Sequence, residues 1–153
     1  LMVLGLSASP ASNNAYALIM KEVDGEKRIP IIIGAFEAQA IALEMEGVTP
    51  PRPMTHDLIK TILDSSGMNL SEVWINELVE GTFFAKLVFD THGVEIDCRP
   101  SDAIAIAIRC NVTFLMQLRF INKVKLSKRN LSLGILKNQV QKANQNPKLK
   151  CYN

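Results

Sequence analysis

Two short polar stretches break an otherwise apolar chain, Arg52-Pro53-Met54-Thr55-His56-Asp57 and Asp97-Cys98-Arg99-Pro100-Ser101-Asp102. Each sets an Arg-Pro step just ahead of a predicted helix start, where backbone N–H groups lack a partner within the helix and favour negative charge. Guanidinium, hydroxyl and imidazole groups gathered at such a place suit a phosphate or a metal-bound oxyanion. Asp97 and Asp102 stand five positions apart across a strand-to-helix turn, near enough for both carboxylates to face one divalent ion. An oxygen-rich site of that kind suits Mg2+ or Mn2+. In phosphodiester hydrolysis such an ion polarises the phosphoryl oxygen and supplies a hydroxide-like water, while Arg52 and Arg99 neutralise the charge growing on the phosphate.

Each of these residues also has a purely structural reading. Asp102 complements a helix dipole, Ser101 caps the helix, and Arg99 pairs with Asp97. His56, between Thr55 and Asp57, is either a general acid or base working near neutral pH or a surface residue of a first helical turn. Glu37 lies three residues past Gly34. There a glutamate commonly folds back on its own helix start, and there too it could complete a metal site with Asp97 and Asp102. His92 falls in a predicted hairpin turn and receives no role. Phe83 and Phe84 sit in a strand, one ring facing the core and the other the opposite face, so base stacking competes with packing. No nucleophile elbow, phosphate loop or Gly-rich cofactor fingerprint is present.

The elements that must position these groups follow from pattern. Residues 1–9 and 15–23 are strand-like around the turn-forming Pro10 to Asn14, and Asp24-Gly25 turns into a strand from Arg28 to Ile33. Ala35 to Glu46 has helical spacing and ends at Gly47. A second helix, from about His56 to Ser66, is predicted with Thr55 as N-cap and Met54 and Ile59 as a hydrophobic staple. Val73 to Val79, Thr82 to Phe89 and Val94 to Cys98 form a second strand meander. Ala103 to Ile108 alternates Ala and Ile, as a strand would, but Ser101 as N-cap and the alanine content favour a buried helix. Val112 to Met116 closes the pattern as a strand. The expected fold is α+β, with antiparallel or mixed sheet meanders and three helices. Strands, an Arg-Pro step and a capped helix occur twice, which marks either an internal duplication or recurring helix-start grammar.

At 153 residues, 48% of them hydrophobic, the chain can bury one sizeable core. No run approaches the ~20 apolar residues of a membrane span and no signal peptide is visible, so a soluble, cytoplasmic protein is expected, with no membrane partner. The chain opens on Leu1, which leaves room for an upstream segment. Cys98, Cys110 and Cys151 are odd in number and lack metal-ligand spacing, the pattern of free thiols in a reducing compartment. Residues 117–153 carry nine bases and no acid, whereas residues 1–116 carry 8 bases against 15 acids. The expected organisation is a domain over 1–116 and a basic, weakly ordered extension over 117–153, and the acidic body needs metal ions, an Arg cluster or this extension to approach nucleic acid.

The ordered motifs resemble the bifunctional nuclease family. They are Pro30 to Gly34 running into Phe36-Glu37-Ala38-Gln39-Ala40-Ile41-Ala42, Arg52 to Leu58, Gly81-Thr82-Phe83-Phe84-Ala85, and Asp97 to Ala105. The resemblance covers roughly residues 1–116 and implies an α+β domain forming homodimers or larger homo-oligomers that cuts DNA and RNA. On the family motifs fall His56, Asp97, Asp102, Arg52 and Arg99 as catalytic candidates. Arg52, Thr55, Arg99 and Ser101 are the candidate substrate contacts, and Glu37, Asp97 and Asp102 the candidate ligands of Mg2+ or Mn2+; this division of roles is inferred. The acid-free extension departs from the Glu- and Ala-rich helical motif of some bacterial relatives. A non-catalytic homodimeric interaction or regulatory domain is the competing reading.

Overall fold

The structure, a computed structural model, describes residues 1–8, 15–90 and 93–116. The turn expected at Pro10 to Asn14, His92, Cys151 and the basic extension lie outside these residues. Strands β1 (Met2–Ala8), β2 (Ala15–Lys21) and β3 (Arg28–Gly34) form an antiparallel sheet in that order, as the turn signals predict. Helices α1 (Ala35–Met45) and α2 (Thr55–Ser66) follow. A four-stranded mixed sheet then forms in the order β6-β5-β4-β7, from β4 (Leu70–Val79), β5 (Thr82–Phe89), β6 (Glu95–Cys98) and β7 (Thr113–Met116). Helix α3 (Pro100–Cys110) precedes β7, which pairs parallel with β4. The fold is α+β with three helices among the described residues, as expected. These elements do not establish an internal duplication, since the second unit alone acquires a fourth strand.

Local chemistry explains the tight joints. Val79 pairs with Thr82 across Glu80-Gly81, whose φ angles of 48° and 84° are both positive, the mark of a two-residue type I′ hairpin. Leu70 and Val73 both face the core although an odd spacing separates them, because the register of β4 shifts between Leu70 and Glu72 and the extra residue restores the phase.

Helix α3 is the centre of the molecule. It packs against α1, α2, β3, β4, β5 and β7, and so touches both sheets and both other helices. Pro100, Ser101 and the run Ala103 to Ala107 are all buried, so apolar side chains are required around the helix rather than along one stripe. The alternation of Ala and Ile is therefore a packing device: Ala103, Ala105 and Ala107 let neighbouring backbones approach, while Ile104 and Ile106 fill the space between. One contiguous core results, drawing Leu18, Ile31, Ile41, Val73, Ile75, Phe89 and Ile104 together.

Helix starts are displaced by one or two residues from expectation. The N-cap of α2 is Met54, not Thr55, and that of α3 is Arg99, not Ser101; both are extended and neither caps through its side chain. For α2 the cap comes from within the first turn, where Asp57 Oδ2 accepts the Met54 N–H at 2.7 Å. For α3, Pro100 occupies the first turn, where its missing N–H costs nothing.

Candidate active site

The first turns of all three helices are linked through Arg99 and Asp102. Its Nε donates to Asp102 Oδ2 at 2.6 Å and its Nη2 donates both to Asp102 Oδ1 at 3.0 Å and to Glu37 Oε1 at 2.8 Å. Asp102 Oδ1 also lies 3.2 Å from His56 Nε2. Glu37, Asp102 and His56 thus come from the starts of α1, α3 and α2, and one guanidinium and one carboxylate join them. The Arg99 side chain is 67% exposed, so the cluster opens to solvent through its cation while the His56 side chain, at 10%, sits behind it.

Burial works against ionisation of Asp102, but hydrogen bonds from Arg99 and then His56 outweigh it and hold the carboxyl below its ordinary value. Asp102 is therefore ionised and can only accept, so His56 Nε2 carries the proton between them. The neutral imidazole then has its basic lone pair on Nδ1. The hydrogen bonds to Asp102 and Glu37 push the Arg99 guanidinium higher still, so it remains a cation at every working pH.

A second cluster lies on the same face of α3. Arg109, with only 4% of its side chain exposed, donates from Nε to Asp57 Oδ1 at 2.6 Å, from Nη1 to Ala105 O at 2.8 Å and from Nη2 to Ala40 O at 3.1 Å. Burial opposes the Asp57 charge, but the bonds from Arg109 and from the Met54 N–H outweigh it and lower its pKa. Sequence reasoning missed Arg109. A signal was present in its spacing, since residue 109 follows Asp102 by seven positions, two turns along one face.

The expected residues are thus divided. Glu37, His56, Arg99 and Asp102 converge. Asp97 does not join them: it pairs across β6 and β5 with Lys86, while its neighbour Cys98 pairs with Ala85 on the core face, so strand alternation directs Asp97 to the opposite face. Arg99 pairs with Asp102 and Glu37 instead of Asp97. Arg52 and Thr55 are exposed at the approach to α2. Ser101 is 6% exposed, inside the first turn of α3, and presents no substrate-facing surface there. Burial, with Asp102 and Asp97 adding to it, pushes the Cys98 thiol up to about 11, which makes it a poor nucleophile.

The metal site expected of Glu37, Asp97 and Asp102 is not assembled in this arrangement. Among the described residues no group of three His, Cys, Asp or Glu is placed to hold a metal. The two carboxylates that do meet, Glu37 and Asp102, are already bridged by the Arg99 guanidinium.

Glu37 folds back over its own helix start as well as reaching Arg99. A Cβ on Gly34 would clash with Glu37 Oε2, whereas the Gly34 backbone, at φ −75°, accepts any side chain. Gly34→Ala is therefore expected to cost little stability, because a flexible carboxylate yields, and to detach Glu37 from Arg99. Thermal melting within about 0.5 kcal/mol of wild type, the range of a tolerated surface change, with loss of the Arg99 side-chain N–H signal in NMR spectra would show this.

The model of the bifunctional nuclease domain family matches residues 18–129. The chain belongs to this family. The bifunctional nuclease domain here is 44% identical over 115 residues to an uncharacterized protein of Mycobacterium tuberculosis, across 75% of this chain and 69% of the relative. It is 30% identical over 146 residues to bifunctional nuclease 2 of Arabidopsis thaliana, across 86% of this chain and 44% of that protein. Against bifunctional nuclease 1 of Oryza sativa the identity is 27% over 110 residues, 68% of this chain and 33% of the relative. The chain thus spans less than half the length of these plant relatives. Among the described residues no helix is long and apolar enough to cross a membrane.

Proposed function

We propose that this domain hydrolyses phosphodiester bonds in DNA and RNA, with His56 as general base and acid. The observation that carries the reading is the contact of 3.2 Å between His56 Nε2 and Asp102 Oδ1 beside an exposed Arg99. Asp102 fixes the tautomer and supports the imidazolium that forms when Nδ1 takes a proton from water. Arg99 binds the scissile phosphate through Nη1, which its bonds to Glu37 and Asp102 do not engage, and Arg52 adds a second positive charge from the adjoining link. The names of the plant relatives support the choice of substrates. Action in the cytoplasm as a homodimer or larger homo-oligomer belongs to the same reading, and Phe36 and Ile32, 81% and 64% exposed, are the apolar residues a second copy would cover.

The proposed steps rest on protein groups alone. Mg2+ or Mn2+ assistance would require Arg99 to withdraw from Glu37 and Asp102, and Asp97 to be approached from the other face of its sheet. Incubation of the purified protein with plasmid DNA and with single-stranded RNA decides the matter when repeated in EDTA, Mg2+ and Mn2+. Cleavage that persists in EDTA is expected. Cleavage only with added metal would replace the mechanism but not the activity. No cleavage in any condition would favour the non-catalytic interaction domain. That reading draws its support from the complete pairing of Glu37, Asp57 and Asp102 by protein cations.

A further inference from the structure

Arg109 is the most buried charged side chain with an ion-pair partner described above, and the proposed chemistry does not use it. We propose that Arg109 is a positioning residue for His56, acting through Asp57. Its guanidinium reaches all three helices: Asp57 on α2, Ala40 O and, at 3.9 Å, Glu44 Oε2 on α1, and Ala105 O on α3. Asp57 is in turn tied to the backbone of Met54, so the first turn of α2 is held at once to its own cap and to Arg109. His56 is the neighbour of Asp57 in that turn, and its contact with Asp102 crosses to the same face of α3 that carries Arg109. Two ties therefore join the start of α2 to α3, two helical turns apart, and the Arg109 tie fixes the rotation of the turn from which His56 reaches. A shift of about 1 Å in a reacting group commonly costs as much as 10²-fold in rate. The planar fork is needed because three acceptors lie in different directions. A lysine keeps the charge beside Asp57 but cannot hold the three together.

The kinetic arm of this proposal rests on the nuclease reading; the spectroscopic arm does not. The test compares wild type, Arg109→Lys and Asp57→Asn, the second variant serving if the first fails to fold. Expected are a fall in kcat of roughly tenfold or more with KM within about twofold, and loss of exchange protection of the His56 Nε2 proton in NMR spectra. A lowered melting temperature with unchanged kcat and an unchanged His56 signal would reduce Arg109 to a structural tie and overturn the proposal. If wild type itself does not cleave, the nuclease reading fails, while the His56 proton still decides the positioning role. A protected proton in the folded variants refutes it and a lost one supports it.

Discussion

His56→Ala is expected to lower cleavage of both DNA and RNA by roughly 10²- to 10⁴-fold, the usual contribution of a general acid or base. The two substrates share the phosphodiester that the imidazole would serve, so both activities should fall together. His56→Gln separates chemistry from scaffolding, because its amide can still donate to Asp102 but cannot move a proton at neutral pH. Both variants should remain folded. Asp102 keeps its two bonds from Arg99 when the imidazole is gone, so no carboxylate is left without a partner. Initial rates on each substrate, beside circular dichroism of the same preparations, measure the effect. Full activity in His56→Gln would make the histidine a structural bridge and remove the proposed base.

The largest stability loss is expected from Ile104→Ala. Ile104 is fully buried in the helix that touches both sheets, and flanking Ala103 and Ala105 are also at 0% exposure. With neighbours on every side the cavity cannot collapse from one direction, so the cost should fall within the ~2–5 kcal/mol measured for such truncations. For a domain of this size that lowers the melting temperature by roughly 5–20 °C. Ile62→Ala provides the contrast, because Ile62 is 55% exposed and its loss should stay within about 0.5 kcal/mol. Urea unfolding of the pair, monitored by Trp74 fluorescence, checks the difference. Similar midpoints for the two would mean that α3 does not organise the core.

Much of this architecture is legible in the chain because its joints are chemically explicit. Asp24-Gly25 and Glu80-Gly81 mark the hairpins, Gly47 and Gly67 follow helix ends in the left-handed conformation, and Pro100 marks a helix start. The cap of α2 shifted to Met54, whose backbone N–H donates to the first-turn carboxylate of Asp57. The site was legible as a set of residues but not as a geometry. Arg99 meets Glu37 across 62 positions and His56 meets Asp102 across 46, distances over which no local pattern reports. The exclusion of Asp97 follows from strand alternation, but only once Cys98 is known to face the core. Arg109 drew no reading from the sequence, because its partners lie 52 and 69 positions away on α2 and α1.

The central place of α3 has a consequence for synthesis. The first sheet is complete once residue 34 has emerged, yet the helix that joins it to the second sheet ends at Cys110. At roughly 5–20 residues per second, the first meander and α1 wait on the order of 4–15 s with part of their apolar surface still exposed. A ribosome-bound chain from which Cys110 has not yet emerged should therefore engage chaperones that bind exposed apolar strands, and release them as α3 arrives.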